Sequence, residues 1–160
     1  MFYNSNNGST LLGKLDDEGY FASLSSRASP AGYTNIVAGV NNVFLFYNRN
    51  TGLAATAKLV MPAGNYVDLK AITGLSTGWT HIVAGTNNVL LFFNASIGNA
   101  MSARLDDAGN LTYLRNPLWN ADLGWTTIAG GVKNSTLLFY MRPQGQWRLE
   151  HWTLMVILYI

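Results

Sequence analysis

The chain contains no cysteine, which excludes a disulfide framework and thiol chemistry and leaves the cellular compartment open. Charge is scarce too. Asp, Glu, Lys and Arg make up 11% of the 160 residues, against ~25% in an average soluble domain. Ten basic and eight acidic residues leave a formal net charge of +2. The basic residues are scattered singly, so no basic stripe can track a phosphate backbone, and nucleic acid is not an expected partner. The apolar run 154–160 falls far short of the ~20 residues a membrane helix needs. Residues Met1 to Leu12 lack the charged and apolar regions of a signal peptide. A soluble chain with no membrane span is expected. No window sustains the i, i+3, i+4 apolar pattern of an amphipathic helix.

What the chain does have is apolar residues, 49% of the total, enough for a real core within a single domain spanning 1–160. Asn, Thr, Ser and Gly supply the polar surface, which suits neutral polyhydroxy ligands better than ionic ones.

An internal repeat organises these residues. Tyr33-Thr-Asn-Ile-Val-Ala-Gly39, Trp79-Thr-His-Ile-Val-Ala-Gly85 and Trp125-Thr-Thr-Ile-Ala-Gly-Gly131 align with their aromatic residues 46 apart. Each is followed by an apolar run: Val43 to Tyr47, Val89 to Phe93 and Thr136 to Tyr140. A glycine then falls seven residues before a leucine, in the pairs Gly8 and Leu15, Gly52 and Leu59, and Gly98 and Leu105. Turn glycines at 19, 64 and 109 and leucines at 24, 69 and 114 complete the unit. The copies span approximately 2–46, 47–92 and 93–139, and a divergent partial copy or tail covers 140–160.

Each copy divides into four short strands bounded by Asn and Gly clusters and rich in Val, Ile, Phe, Tyr and Thr. In the second copy they fall near Thr80–Ala84, Val89–Asn94, Ala100–Leu105 and Leu111–Arg115. Strand 2 is apolar almost throughout, as when neighbouring sheets cover both its faces. The expected fold is therefore all-β, with β-propeller blades of four antiparallel strands. The alternative is a β-trefoil, because three units of four strands also make twelve.

The chain opens out of phase with its repeat. Phe2-Tyr3 matches the end of strand 2, so residues 2–24 are expected to give strands 3 and 4 of an incomplete blade. Gly145 and Trp152 repeat the glycine–leucine spacing and are expected to open a further strand 3. Since propellers carry ~4–8 blades, a homo-oligomer is expected to complete the ring, most simply a dimer of about six blades with residues 152–160 at the junction.

The pattern Gly-Trp-Thr-x-Ile-Val-Ala-Gly, Leu-Leu-Phe-Phe and Leu-Asp-Asp-x-Gly resembles the tachylectin-2 and tectonin type of β-propeller lectin over residues 2–140. That resemblance implies multivalent, non-catalytic binding of glycans or glycoconjugates, at sites between adjacent blades. The rival is a propeller serving as a protein-interaction scaffold.

Candidate ligand-binding residues follow from the loops. Trp119 offers a flat face to a sugar ring from the loop 116–124, and Asn120 and Asp122 stand ready for its hydroxyls. Asn48, Asn50, Asn94 and Ser96 lie in the 2–3 turns, where Asn offers both a donor and an acceptor but is also an ordinary turn residue. Trp79 and Trp125 open strand 1, where blade packing competes with sugar stacking. His81 holds a position taken by Asn35 and Thr127 in the other copies, so the site needs polarity rather than an acid or base. No catalytic residue, metal site or cofactor is expected. Gly8 to Leu15 approximates a P-loop, but the copies at 52–59 and 98–105 lose its inner glycine, and no helix follows. The Asp16-Asp17 and Asp106-Asp107 pairs read as turn residues.

Overall fold

The structure, a computed structural model, describes residues 1–39, 42–62, 64–116, 125–130, 137–141 and 154–157. Its strands form four antiparallel sheets, each pairing strands that follow one another in sequence. Blade I contains β1 (Phe2–Tyr3), β2 (Ser9–Leu15) and β3 (Phe21–Ala28). Blade II contains β4 (Asn35–Ala38), β5 (Val43–Tyr47), β6 (Ala54–Val60) and β7 (Asn65–Ile72). Blade III contains β8 (His81–Ala84), β9 (Val89–Asn94), β10 (Asn99–Leu105) and β11 (Leu111–Arg115). Blade IV contains β12 (Trp125–Gly130), β13 (Leu137–Met141) and β14 (Leu154–Ile157). No α-helix occurs among the described residues, and none of their helical segments is long and apolar enough to cross a membrane.

These are four-stranded propeller blades, complete in II and III, and the trefoil alternative falls. A trefoil needs hairpins capping a shared barrel, whereas every sheet here is a separate meander. The innermost strands follow one another in space: β4 packs beside β8, and β8 beside β12.

Turn chemistry sets these elements. The 2–3 turns close through the amides of Gly8, Gly52 and Gly98, which donate to the carbonyls of Asn4, Asn48 and Asn94 at 2.8–2.9 Å. Gly52 adopts φ of +73° there, a region that costs an ordinary L-residue energy. In the 3–4 turn of blade III, Asp106 Oδ1 accepts from the amides of Ala108 and Asn110. A register shift interrupts strands 3 and 4 at one equivalent place in three blades: Leu12/Gly13, Thr56/Ala57 and Ser102/Ala103.

The core lies between blades. Val43, Leu45 and Tyr47 of blade II meet Leu90, Phe92, Met101 and Leu105 of blade III in one cluster. Leu91, Phe93 and Ala100, from the other side of blade III, meet Trp125, Ile128 and Phe139 of blade IV in a second. Alternate residues of strand 2 thus face opposite neighbours, which is why the sequence is apolar without interruption. Burying each of these larger side chains is worth about 1.5–3 kcal/mol.

Blade I begins out of phase as expected, with β1 in the place of strand 2. The tail differs from expectation. The described strand beside β13 is 154–157, beyond the expected segment, with Tyr140 opposite Leu154. Its Leu-Met-Val-Ile sequence is the better strand former. Gly145 and Trp152 lie outside the described residues.

Candidate functional site: a cleft between the first two blades

The face formed by the 2–3 turns and the interblade loops is held by repeated backbone and side-chain bonds. The Asn48 side-chain oxygen accepts from the amides of Asn50 at 2.9 Å and Thr51 at 3.2 Å, and that of Asn94 from Ser96 at 3.0 Å. Their amide nitrogens lie against the loop glycines of the same face. A Cβ on Gly32 would sit 3.2 Å from Asn48 Nδ2, and one on Gly78 would sit 2.7 Å from Asn94 Nδ2. These asparagines therefore shape the turns that were expected to present them. Thr34 and Thr80 work alongside: each hydroxyl accepts an amide bond from the turn, from Arg49 at 3.0 Å and Ala95 at 2.9 Å.

The strand 1 aromatics belong to the core. Trp79 and Trp125 are 6% and 7% exposed and pack edge-on against Phe92 and Phe139, at 6.0 and 5.6 Å between ring centroids. Neither ring face is open for a sugar to stack on, so the blade-packing role prevails over the ligand role. Trp79 Nε1 finds no acceptor among the described residues.

His81 bridges blades. Its Nε2 lies 3.2 Å from the Thr126 carbonyl and its Nδ1 lies 2.9 Å from the Thr80 hydroxyl. A carbonyl only accepts, so Nε2 carries the proton. Asn35, the equivalent residue of blade II, sends its Nδ2 to the Thr80 carbonyl at 3.2 Å. The shared role of the two positions is to tie one inner strand to the next. Trp119, Asn120 and Asp122 lie outside the described residues.

Between blades I and II the packing opens into a cleft of ≈ 240 Å³, lined by Tyr33, Phe46, Tyr66, Asp68 and Lys70 and, from the segment after blade I, by Ser29 and Pro30. Drug-sized ligands usually occupy ~300–1,000 Å³, so this volume suits a single small ring or a side chain. The Arg27 guanidinium of blade I lies 4.5 Å from the centre of the Tyr66 ring. It also pairs with Asp68 at 3.1 Å. Because both partners of that pair are partly or largely exposed, it contributes only about 0–1 kcal/mol. Burial first, and then the Asp68 charge, pushes the Tyr66 hydroxyl well above the ordinary tyrosine value, despite the opposing pull of Arg27. Tyr33 is raised by burial, then by Tyr3 and Asp68. Both phenols stay protonated at neutral pH and can each donate and accept a hydrogen bond.

Tyr66, Asp68 and Arg27 did not stand out in the sequence. The signal was departure from the repeat rather than adherence to it: counted from Leu24 and Leu69, Arg27 stands where the next copy has Ile72.

A second, wider opening of ≈ 540 Å³ adjoins Tyr33, lined also by Met1, Tyr3, Thr34, Ile36 and Arg49. It lies where β1 is the edge of its sheet, whereas β5 and β9 are each flanked by an inner strand. No group of three or more His, Asp or Glu residues able to hold a metal ion occurs among the described residues.

Neither a protein-family model nor a curated protein sequence matches the chain. Similar solved structures include a crystallised protein from Lactobacillus plantarum, 15% identical over 94% of this chain and 48% of that one, with a TM-score of 0.49. Virginiamycin B lyase from Staphylococcus aureus is 19% identical over 81% of this chain and 41% of that one, at a TM-score of 0.42. A streptogramin B lyase structure is 22% identical over 83% and 42% of the two chains, also at 0.42. The chain spans less than half the length of each.

Proposed function

We propose that this chain is a non-catalytic β-propeller scaffold that binds protein partners through an uncovered apolar blade face. One observation carries the reading. Phe2, Leu15 and Phe21 of blade I are 61%, 70% and 45% exposed, and they are contiguous. Phe2 and Phe21 meet edge-on at 5.5 Å, and Leu15 lies opposite Phe21 across the strand pair. Exposed apolar side chains scattered singly are ordinary, whereas a joined set on a flat sheet marks an interaction surface. The polar groups of the repeat support a binding role over catalysis, since His81 and Asp106 are engaged in bridging and turn formation.

The absence of cysteine makes the test direct. Leu15→Cys gives one labelling position for an environment-sensitive fluorophore. The emission should shift to the blue when polypeptide covers the face, whether a peptide selected from a display library or more of the chain itself. A label that responds to no polypeptide, on a chain that gives clear hits on a glycan array, would overturn the scaffold reading.

A second reading is carbohydrate binding, as the tachylectin-2 and tectonin resemblance implies. The observation favouring it is the cleft between blades I and II, where the aromatic residues Tyr33, Phe46 and Tyr66 and the acidic Asp68 line one small space. The best array hit would be titrated against Tyr66→Ala and Trp119→Ala. Loss of binding in Tyr66→Ala places the sugar in the cleft, and loss in Trp119→Ala places it at the loop containing Trp119, Asn120 and Asp122.

A further inference from the structure

Blades II and III provide the pattern of a covered pair of faces. Blade II turns Leu45 and Tyr47 forward, and blade III turns Phe92, Met101 and Leu105 back against them. In the repeat, Phe2 occupies the position of Phe92, and Leu15 that of Leu105. The covered residues are 0% exposed, while Phe2 and Leu15 are 61% and 70% exposed. Among the described residues, blade I therefore leaves open two apolar back-face positions that blade III has covered.

The complementary surface is on the same chain. Leu138 of blade IV occupies the forward-facing position of Leu45 and Leu91. Those two are 0% and 5% exposed, whereas Leu138 is 36% exposed. Among the described residues, Leu138 thus marks an open forward position and Phe2 and Leu15 an open back face, the counterparts of an interface that the chain builds internally between successive blades.

We propose that blade IV of one copy packs its forward face on the back face of blade I of a second copy, and reciprocally, so that two chains close into a ring. This rests on the scaffold reading and names its partner. Each contact is heterologous, and a twofold axis makes the two contacts equivalent, so that neither face is left over to propagate a fibre. Four sheets per copy make eight in the ring, within the ~4–8 of known propellers. This exceeds the six anticipated from the repeat because blades I and IV are separate sheets.

The test is light scattering on the whole chain at micromolar concentration. The expected mass is twice the 17.5 kDa of one copy. Leu15→Asp and Leu138→Asp should each reduce it to that of one copy, with circular dichroism confirming the fold. Should either fail to fold, Phe2→Ser replaces the first and Leu138→Ser the second. Mixing the two monomeric variants is decisive for the heterologous geometry. Leu15→Asp keeps a sound forward face and Leu138→Asp a sound back face, so the mixture should regain a dimer, at least tenfold weaker than the native one. A native chain of single mass, or a dimer indifferent to both substitutions, overturns the proposal. If the native chain is monomeric and the fluorophore at position 15 still responds to selected peptides, self-association fails while the scaffold reading stands; if it responds to nothing, both fail.

Discussion

The Tyr47 hydroxyl accepts a hydrogen bond from the backbone amide of Trp79, 3.3 Å away, and donates to the Ser76 carbonyl at 2.7 Å. One side chain of blade II thereby fastens the loop that leads into blade III. Tyr3 does the same for the preceding loop, donating to the Pro30 carbonyl at 2.7 Å and accepting from the Tyr33 amide at 3.2 Å.

Tyr47→Phe should therefore cost about 1–3 kcal/mol, since it strands a buried amide and removes the donor to a carbonyl. Urea denaturation followed by tryptophan fluorescence measures the loss. An unchanged midpoint would mean that water replaces the hydroxyl at no cost.

Trp79 separates packing from polarity. Its indole nitrogen finds no acceptor among the described residues, so Trp79→Phe removes an unsatisfied donor along with part of the ring. Trp79→Ala should cost about 3–5 kcal/mol, and the phenylalanine variant should lose much less. Thermal melts of both variants check the order; equal losses would contradict it.

Two glycines with similar backbone angles should respond differently to alanine. Gly19 and Gly52 have φ of +87° and +73°. A Cβ on Gly19 meets nothing, whereas one on Gly52 runs into the Leu75 carbonyl. Gly19→Ala should cost only the left-handed backbone penalty, about 1–2 kcal/mol, and Gly52→Ala clearly more. Parallel denaturation curves would show it.

The raised tyrosine hydroxyls predict alkaline sensitivity. An acid whose folded value lies above its unfolded value of 10.0 favours the folded state fully at pH below that value. As pH rises past it, the unfolded chain ionises while Tyr66 stays protonated, so stability falls. Melting temperatures measured from about pH 8 to 11 should drop, and Tyr66→Phe should flatten part of that drop. A variant with the same alkaline profile would remove Tyr66 from the cause.

The fold was legible because the repeat aligned residues of known strand and turn preference. The expected strands Val89–Asn94 and Leu111–Arg115 coincide with β9 and β11. The candidate site was less so. Asn48, Asn94 and Trp79 were noticed because they recur, and a recurring residue in a stacked array serves what every unit needs, which is turn closure and packing. Residues peculiar to one interface depart from the pattern, as Arg27 and Asp68 do, and their partnership spans 41 positions of sequence. The exposure of Phe2 is another such case. Its type matches Phe46 and Phe92, and only the position of its blade in the array distinguishes it.

Because each sheet pairs only strands adjacent in sequence, every hydrogen-bonded ladder closes over a short length of chain. Such a molecule has low contact order within its blades and can begin folding at any of them, with stability passed on through neighbours. Its weakest points under load are accordingly the seams between blades, and a force applied along the array should part it one blade at a time.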